Sequence, residues 1–104
     1  MSILRLNEFT ALPGQFENLV EQFDALIEEV RVLPGCERCE LLLKVADGND
    51  DDDRLVILEV WTSISHHKAA ASAGDPQRIK AILALLSHRP SGQYYSAVED
   101  PDLD

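Results

Sequence analysis

Positive charge is what this chain most lacks. Nine lysines and arginines stand against nineteen aspartates and glutamates, for a formal net charge of -10. A field of that sign repels phosphate backbones and anionic lipid, so neither nucleic acid nor a membrane surface is an expected partner. Long apolar runs are missing too, since no stretch approaches the roughly 20 uncharged residues that span a bilayer. The opening MSILRLNEF has no basic segment followed by an apolar core, so no export signal is visible and a cytoplasmic location is the expectation. Cysteine is scarce. The two present, Cys36 and Cys39, have the spacing of half a zinc site or a redox pair. They lead into Glu40-Leu41-Leu42-Leu43, a strand pattern, and residues three apart on a strand point to opposite faces. A redox pair usually opens a helix, whose dipole lowers the thiol pKa. Free structural thiols are therefore expected here, and no metal site.

What is present suits one small globular domain. The apolar fraction is 45% and the charged fraction 27% of 104 residues, ordinary values for a folded chain. A chain this size buries only about two-thirds of its unfolded surface, so a very apolar strand set hints at a partner. Residues 1–98 read as the domain and 99–104 as an acidic tail.

Ile3 to Phe9 alternates, with Ile3, Arg5, Asn7 and Phe9 on one face and Leu4, Leu6 and Glu8 on the other, which predicts a first strand. After Pro13-Gly14 comes a helical stripe of Phe16, Leu19, Val20, Phe23, Leu26, Ile27 and Val30, with Glu17, Glu21, Asp24 and Glu28 outside it. Pro34-Gly35 stops that helix, and a second strand covers about 37–45. The acidic stretch 47–53 lacks the spacing and closing glutamate of a helix-loop-helix calcium site and reads as a solvated hairpin connection. Leu55 to Trp61 is a third strand. Ser63 caps a helix running to about Ala73, and Asp75-Pro76 starts another with Ile79, Ile82, Leu83 and Leu86 inward. Gly92 to Val98 is a last strand. The order is β-α-β-β-α-α-β.

The third strand, LVILEVW, is apolar on both faces. Val56, Leu58 and Val60 form one row, and Leu55, Ile57, Glu59 and Trp61 the other. Helices can cover one row, but so short a chain has little left for the second. A homodimer is the economical solution.

"LPGC" after the first helix, "LVILEVW", and a helix directly after that tryptophan occur here in the order and spacing of the antibiotic biosynthesis monooxygenase family, which the chain resembles over nearly its whole length. The resemblance implies a ferredoxin-like α+β fold with an antiparallel four-stranded sheet, two subunits pressing their sheets into a dimeric α+β barrel. It also implies a cofactor-independent monooxygenase of a small aromatic or polyketide-like phenol. The alternative is a non-catalytic dimeric protein of the same fold that binds a small apolar molecule, or one related to stress. Asn7 matches the first-strand asparagine of some oxygenase members, and Trp61 the tryptophan that closes the third strand. The helix histidine that many members carry nine positions after that tryptophan is Ala70 here. The haem-degrading branch needs a tryptophan at that place and a histidine near position 80, where this chain has Ala70 and Lys80.

The chain's own histidines offer a substitute. His66 and His67 lie one helical turn before Ala70, where imidazole can serve as a base with a pKa of roughly 6.5, or can simply meet water. His88 follows the last helix and reads as a partner of its dipole. Asn7 either satisfies a neighbour or holds a ligand oxygen. Trp61 is core, pocket wall, or both. Glu59 shares its face, as a buried acid with a raised pKa or the partner of Arg5 or Arg54. Tyr94 and Tyr95 point to opposite faces, so at most one reaches a given pocket, and Tyr94 is taken as that one. Trp61 and His67 are expected to border one cavity with Asn7 on its floor.

Overall fold

The computed structural model describes residues 2–45 and 53–98. The expected acidic tail, and all of the acidic connection but Asp53, lie outside those residues. Seven elements follow one another as β1 (Ile3–Thr10), α1 (Phe16–Val30), β2 (Cys36–Leu43), β3 (Arg54–Trp61), α2 (Ile64–Ser72), α3 (Pro76–Leu83) and β4 (Ser91–Tyr95). This is the β-α-β-β-α-α-β order that the periodicities predict. The strands make one sheet in the order β2-β3-β1-β4, antiparallel throughout.

Register decides which side chains meet. Arg5 stands opposite Glu59, Asn7 opposite Ile57 and Phe9 opposite Leu55, while Arg5 also faces Tyr94 and Asn7 faces Gly92. These residues therefore share one side of the sheet, and α1 covers it. Leu19, Phe23 and Ile27 of α1 pack with Leu55, Ile57, Cys39 and Ile82 into a single core. The helical stripe read from the sequence is the buried face.

The reverse side carries Leu4, Leu6, Val56, Leu58 and Val60 in facing rows, with Leu42 and Tyr95 beside them. None of these side chains is fully buried, and Leu42 and Tyr95 are 44% and 49% exposed. Three helices cover one face of the sheet and leave this one bare. Among the described residues, no helix is long and apolar enough to cross a membrane.

Local chemistry sets the ends of the elements. The backbone N–H of His66 donates to Ser63 Oγ (3.2 Å) and that of Gln77 to Asp75 Oδ1 (2.9 Å), so both expected caps are in place. Pro76 opens α3, where its missing N–H costs nothing. Gly35 adopts φ +84 ahead of β2, a conformation that L side chains avoid.

Two local readings change. β4 ends at Tyr95, and Val98, expected inside it, is 85% exposed. The face argument for the cysteines also fails, because a bulge interrupts β2. Cys36 pairs with Trp61 but Arg38 already pairs with Val60, so Glu37 is an extra residue and alternation is reset. Cys36 and Cys39 consequently lie on the same, helix-covered side. Both are free. Burial raises the pKa of Cys36 and, with the nearby Glu59 charge, pushes that of Cys39 up to about 12, so neither thiol is activated as a nucleophile.

Candidate functional site

Glu59 is the hub of the polar residues on the covered side. It sits next to the last residue of β3 but one, and alternation puts it on the row that α1 and α2 cover. The indole N–H of Trp61 donates to its Oε1 (2.8 Å), and the Asn7 amide donates from Nδ2 to its Oε2 (2.7 Å). Asn7 is itself oriented by Arg5, whose Nε donates to Asn7 Oδ1 (3.2 Å). A part-buried carboxylate thus has two donors holding its two oxygens.

His67 joins the cluster from α2. Only Thr62 and Ser63 separate Trp61 from that helix, so its first turn folds back over the strand end. The His67 ring meets the Trp61 indole edge-on at 5.6 Å and the Tyr94 ring at 5.4 Å between centroids. Nδ1 of His67 is 2.7 Å from the Tyr94 hydroxyl, and Nε2 is 4.0 Å from Glu59 Oε1. The second distance is too long for a hydrogen bond but close enough for charge to matter. Burial, then the Arg5 charge, lower the His67 pKa, so its resting form near neutral pH is the uncharged imidazole. Burial raises the Glu59 pKa, while the Trp61 bond, the Arg5 charge and the Asn7 bond pull the other way.

These groups stand at one end of a cavity of about 250 Å3 between sheet and helices. Asn7, Glu59 and His67 supply its polar end, and Phe9, Phe23, Ile57 and Ile82 are among its apolar walls. The expected cavity with Asn7 and His67 on its border is present. Trp61 does not line it. The indole is 1% exposed and stands behind Glu59 and His67, holding one and packing against the other. Tyr94 likewise touches His67 from the side away from the cavity lining.

His66 points elsewhere. Its Nδ1 is 2.7 Å from Ser63 Oγ, and its ring lies where a Cβ on Gly35 would collide with it. His88 is next to Ser87 Oγ (3.1 Å), beyond the end of α3. Arg54 pairs across from Thr10 on the opposite side of the sheet from Glu59. The sequence reading undervalued Arg5, which alternation placed beside Asn7 but which only strand register could set between Glu59 and Tyr94. It placed Leu26 only on the helical stripe and gave no role to Pro90, and both reach the cavity, from α1 and from the turn before β4.

The profile of the family described as antibiotic biosynthesis monooxygenase matches residues 2–81. No curated protein matches the sequence. Among solved structures, Rv0793 from Mycobacterium tuberculosis superposes with a TM-score of 0.77 at 17% identity, covering 97% of this chain and 99% of that one. A Nitrosomonas europaea protein reaches a TM-score of 0.81 at 16% identity, covering 95% and 92%. SnoaB, a cofactor-independent oxygenase from Streptomyces nogalater, gives 0.76 at 21% identity, covering 96% of each chain. At such identities the likeness speaks for the fold.

Proposed function

The chain belongs to the antibiotic biosynthesis monooxygenase family, and from that premise we propose that it is a cofactor-independent monooxygenase of a small aromatic or polyketide-like phenol, working as a homodimer. One observation carries the reading. A neutral imidazole, a part-buried carboxylate and an oriented amide converge on the polar end of an otherwise apolar cavity. Such convergence is what a phenol needs in order to be bound, deprotonated and kept dry. The size fits a small substrate, since about 250 Å3 lies just under the roughly 300–1,000 Å3 typical of drug-sized ligands.

The residues divide the work as follows. With Nδ1–H donating to the Tyr94 hydroxyl, His67 keeps its Nε2 lone pair for the phenolic proton. The imidazolium so formed lies 4.0 Å from Glu59 Oε1, whose negative charge offsets it. Asn7 uses Oδ1 on Arg5 and one Nδ2 hydrogen on Glu59, which leaves its second N–H for the phenolate oxygen. The phenolate then gives one electron to dioxygen, and the resulting radical pair joins through a C–O bond at a ring carbon. The His67 imidazolium returns its proton to that peroxide, and loss of water, which takes the hydrogen of the attacked ring carbon, leaves a quinone, with one oxygen atom in the product and the other in water. The apolar walls keep bulk water from the intermediates.

Oxygen uptake with a panel of hydroquinones and polycyclic phenols tests this. Consumption that saturates with one phenol, one labelled oxygen atom appearing in the quinone, and loss of turnover in His67→Ala are the expected results. Saturable quenching of Trp61 fluorescence without oxygen consumption would instead favour a non-catalytic binding protein of the same fold, the reading that Ala70 at the place of the family's helix histidine supports.

A further inference from the structure

Arg5 is central to this site without lining its cavity. It sits on β1 between Glu59 of β3 and Tyr94 of β4. Its Nε holds Asn7 Oδ1 at 3.2 Å, and its guanidinium carbon lies 4.6 Å from the centre of the Tyr94 ring, a cation–π geometry. The space for this comes from Gly92. A Cβ there would collide with the Arg5 guanidinium and with Asn7 Oδ1 together. Three strands thus cooperate to seat one cation in a chain that is short of them.

We propose that Arg5 is a positioning residue of this site, seated on the Tyr94 ring in the space left by Gly92, fixing the Asn7 amide on Glu59 and supplying the positive charge that balances the Glu59–His67 couple. The inference rests on the reading of His67 as the base. The first part follows from hydrogen-bond chemistry. An amide can face Glu59 with either end, and a carboxylate accepts only from Nδ2. Arg5 can only donate, so its bond to Oδ1 leaves Nδ2 for Glu59. Without Arg5 that choice is no longer imposed. The second part follows from charge. Tyr94 from β4, Glu59 from β3 and Arg5 from β1 surround the imidazole, and α1 and α3 present only apolar side chains to the cavity. On α2 itself the neighbours are His66, turned towards Ser63, and the exposed Lys68. From β2, Cys39 faces Glu59 as a neutral thiol. Arg5 is therefore the one cation on the sheet face of the site among the described residues. Its charge favours the ionised Glu59 and the unprotonated His67.

The test does not depend on turnover. Titration of the three histidines by NMR in the full chain, with His67 assigned through His67→Ala, gives its protonation directly, and the Asn7 side-chain amide gives its orientation. Arg5→Met should raise proton affinity at His67 by on the order of tenfold, since a nearby like charge is removed and the Glu59 charge is left unmatched. Arg5→Lys should keep most of the His67 value yet shift the Asn7 amide, because it retains the charge and loses the Nε donor. Gly92→Ala should move the same amide with no charge altered. Where turnover is measured, the acid limb of kcat/KM should move to higher pH in Arg5→Met. An unchanged His67 titration in Arg5→Met, or an equal shift in Arg5→Lys, would overturn the charge role. An Asn7 amide unmoved in both Arg5→Lys and Gly92→Ala would overturn the positioning role. If Arg5→Met does not fold, Arg5→Gln removes the same charge and decides the charge role by the same titration, while Arg5→Lys and Gly92→Ala decide the positioning role. Absence of oxygen consumption with the shifts present would sink the oxygenase reading alone, and turnover with no shifts would sink this inference alone.

Discussion

Replacing Trp61 by phenylalanine separates packing from polar support at one position. The indole is 1% exposed and its N–H donates to Glu59 Oε1 at 2.8 Å. Phenylalanine keeps one ring but loses the pyrrole portion, about 40 Å2 of apolar surface, or about 1 kcal/mol at 25 cal/mol per Å2. It also removes a hydrogen bond to a charged group, worth about 1.5–3 kcal/mol. The expected cost at neutral pH is therefore about 3 kcal/mol, against roughly 3–5 kcal/mol for Trp61→Ala, which empties the site. Its pH dependence isolates the polar part. Burial already raises the Glu59 pKa above its ordinary value of 4.5, and the Trp61 bond opposes that rise. Losing the donor raises the folded-state value further, so folding favours the protonated carboxyl more strongly. A group raised in this way stabilises the fold below its unfolded pKa and loses that contribution as pH climbs through the folded value. The cost of Trp61→Phe should hence be largest at pH 7 and shrink towards pH 4.5 and below. Urea unfolding followed by circular dichroism measures it, since the variant has no tryptophan to report. A cost that stays the same from pH 7 down to pH 4 would show that the indole acts by packing alone.

Sedimentation velocity at micromolar concentration should give a dimer, and Leu58→Glu, which puts a charge in the bare apolar face of the sheet, should give a folded monomer; a wild-type monomer of about half that mass would remove the barrel from the proposal. Haem should not bind as a substrate, because Ala70 and Lys80 stand where the haem-degrading branch has its tryptophan and histidine; a sharp Soret band at one equivalent, with turnover under a reductant, would refute this. His67→Ala should cost about 1–2 kcal/mol as well as turnover, more than a surface histidine, because its side chain is 14% exposed and bonded to Tyr94; thermal unfolding with no loss of stability would place that ring outside the cluster.

The parts of the fold that repeat were legible in the sequence. The stripe Leu19, Phe23, Ile27 and the alternation in β1 and β3 each depend on neighbours along the chain, as do the caps at Ser63 and Asp75. What was not legible depends on registration between strands. Asn7 and Glu59 are far apart in sequence, and alternation gives only their faces. Their bond exists because Asn7 pairs with Ile57, which sets Glu59 one pleat away on the same side. A shift of one residue would turn one row to the other face and dissolve the cluster. The bulge in β2 is that shift on a small scale. It put Cys36 and Cys39 on one side where alternation predicts opposite sides, and no feature of Cys36-Glu37-Arg38-Cys39 announced it. His67 was reachable for a different reason. The link from Trp61 to α2 is too short to let the helix start anywhere but over the strand end, so chain geometry alone put the imidazole beside the indole. Arg5 needed all three constraints at once: its own alternation, the registers of β3 and β4, and a glycine at position 92 with no side chain in the way. A residue that depends on so many long-range conditions looks, in the sequence, like any other arginine on a strand.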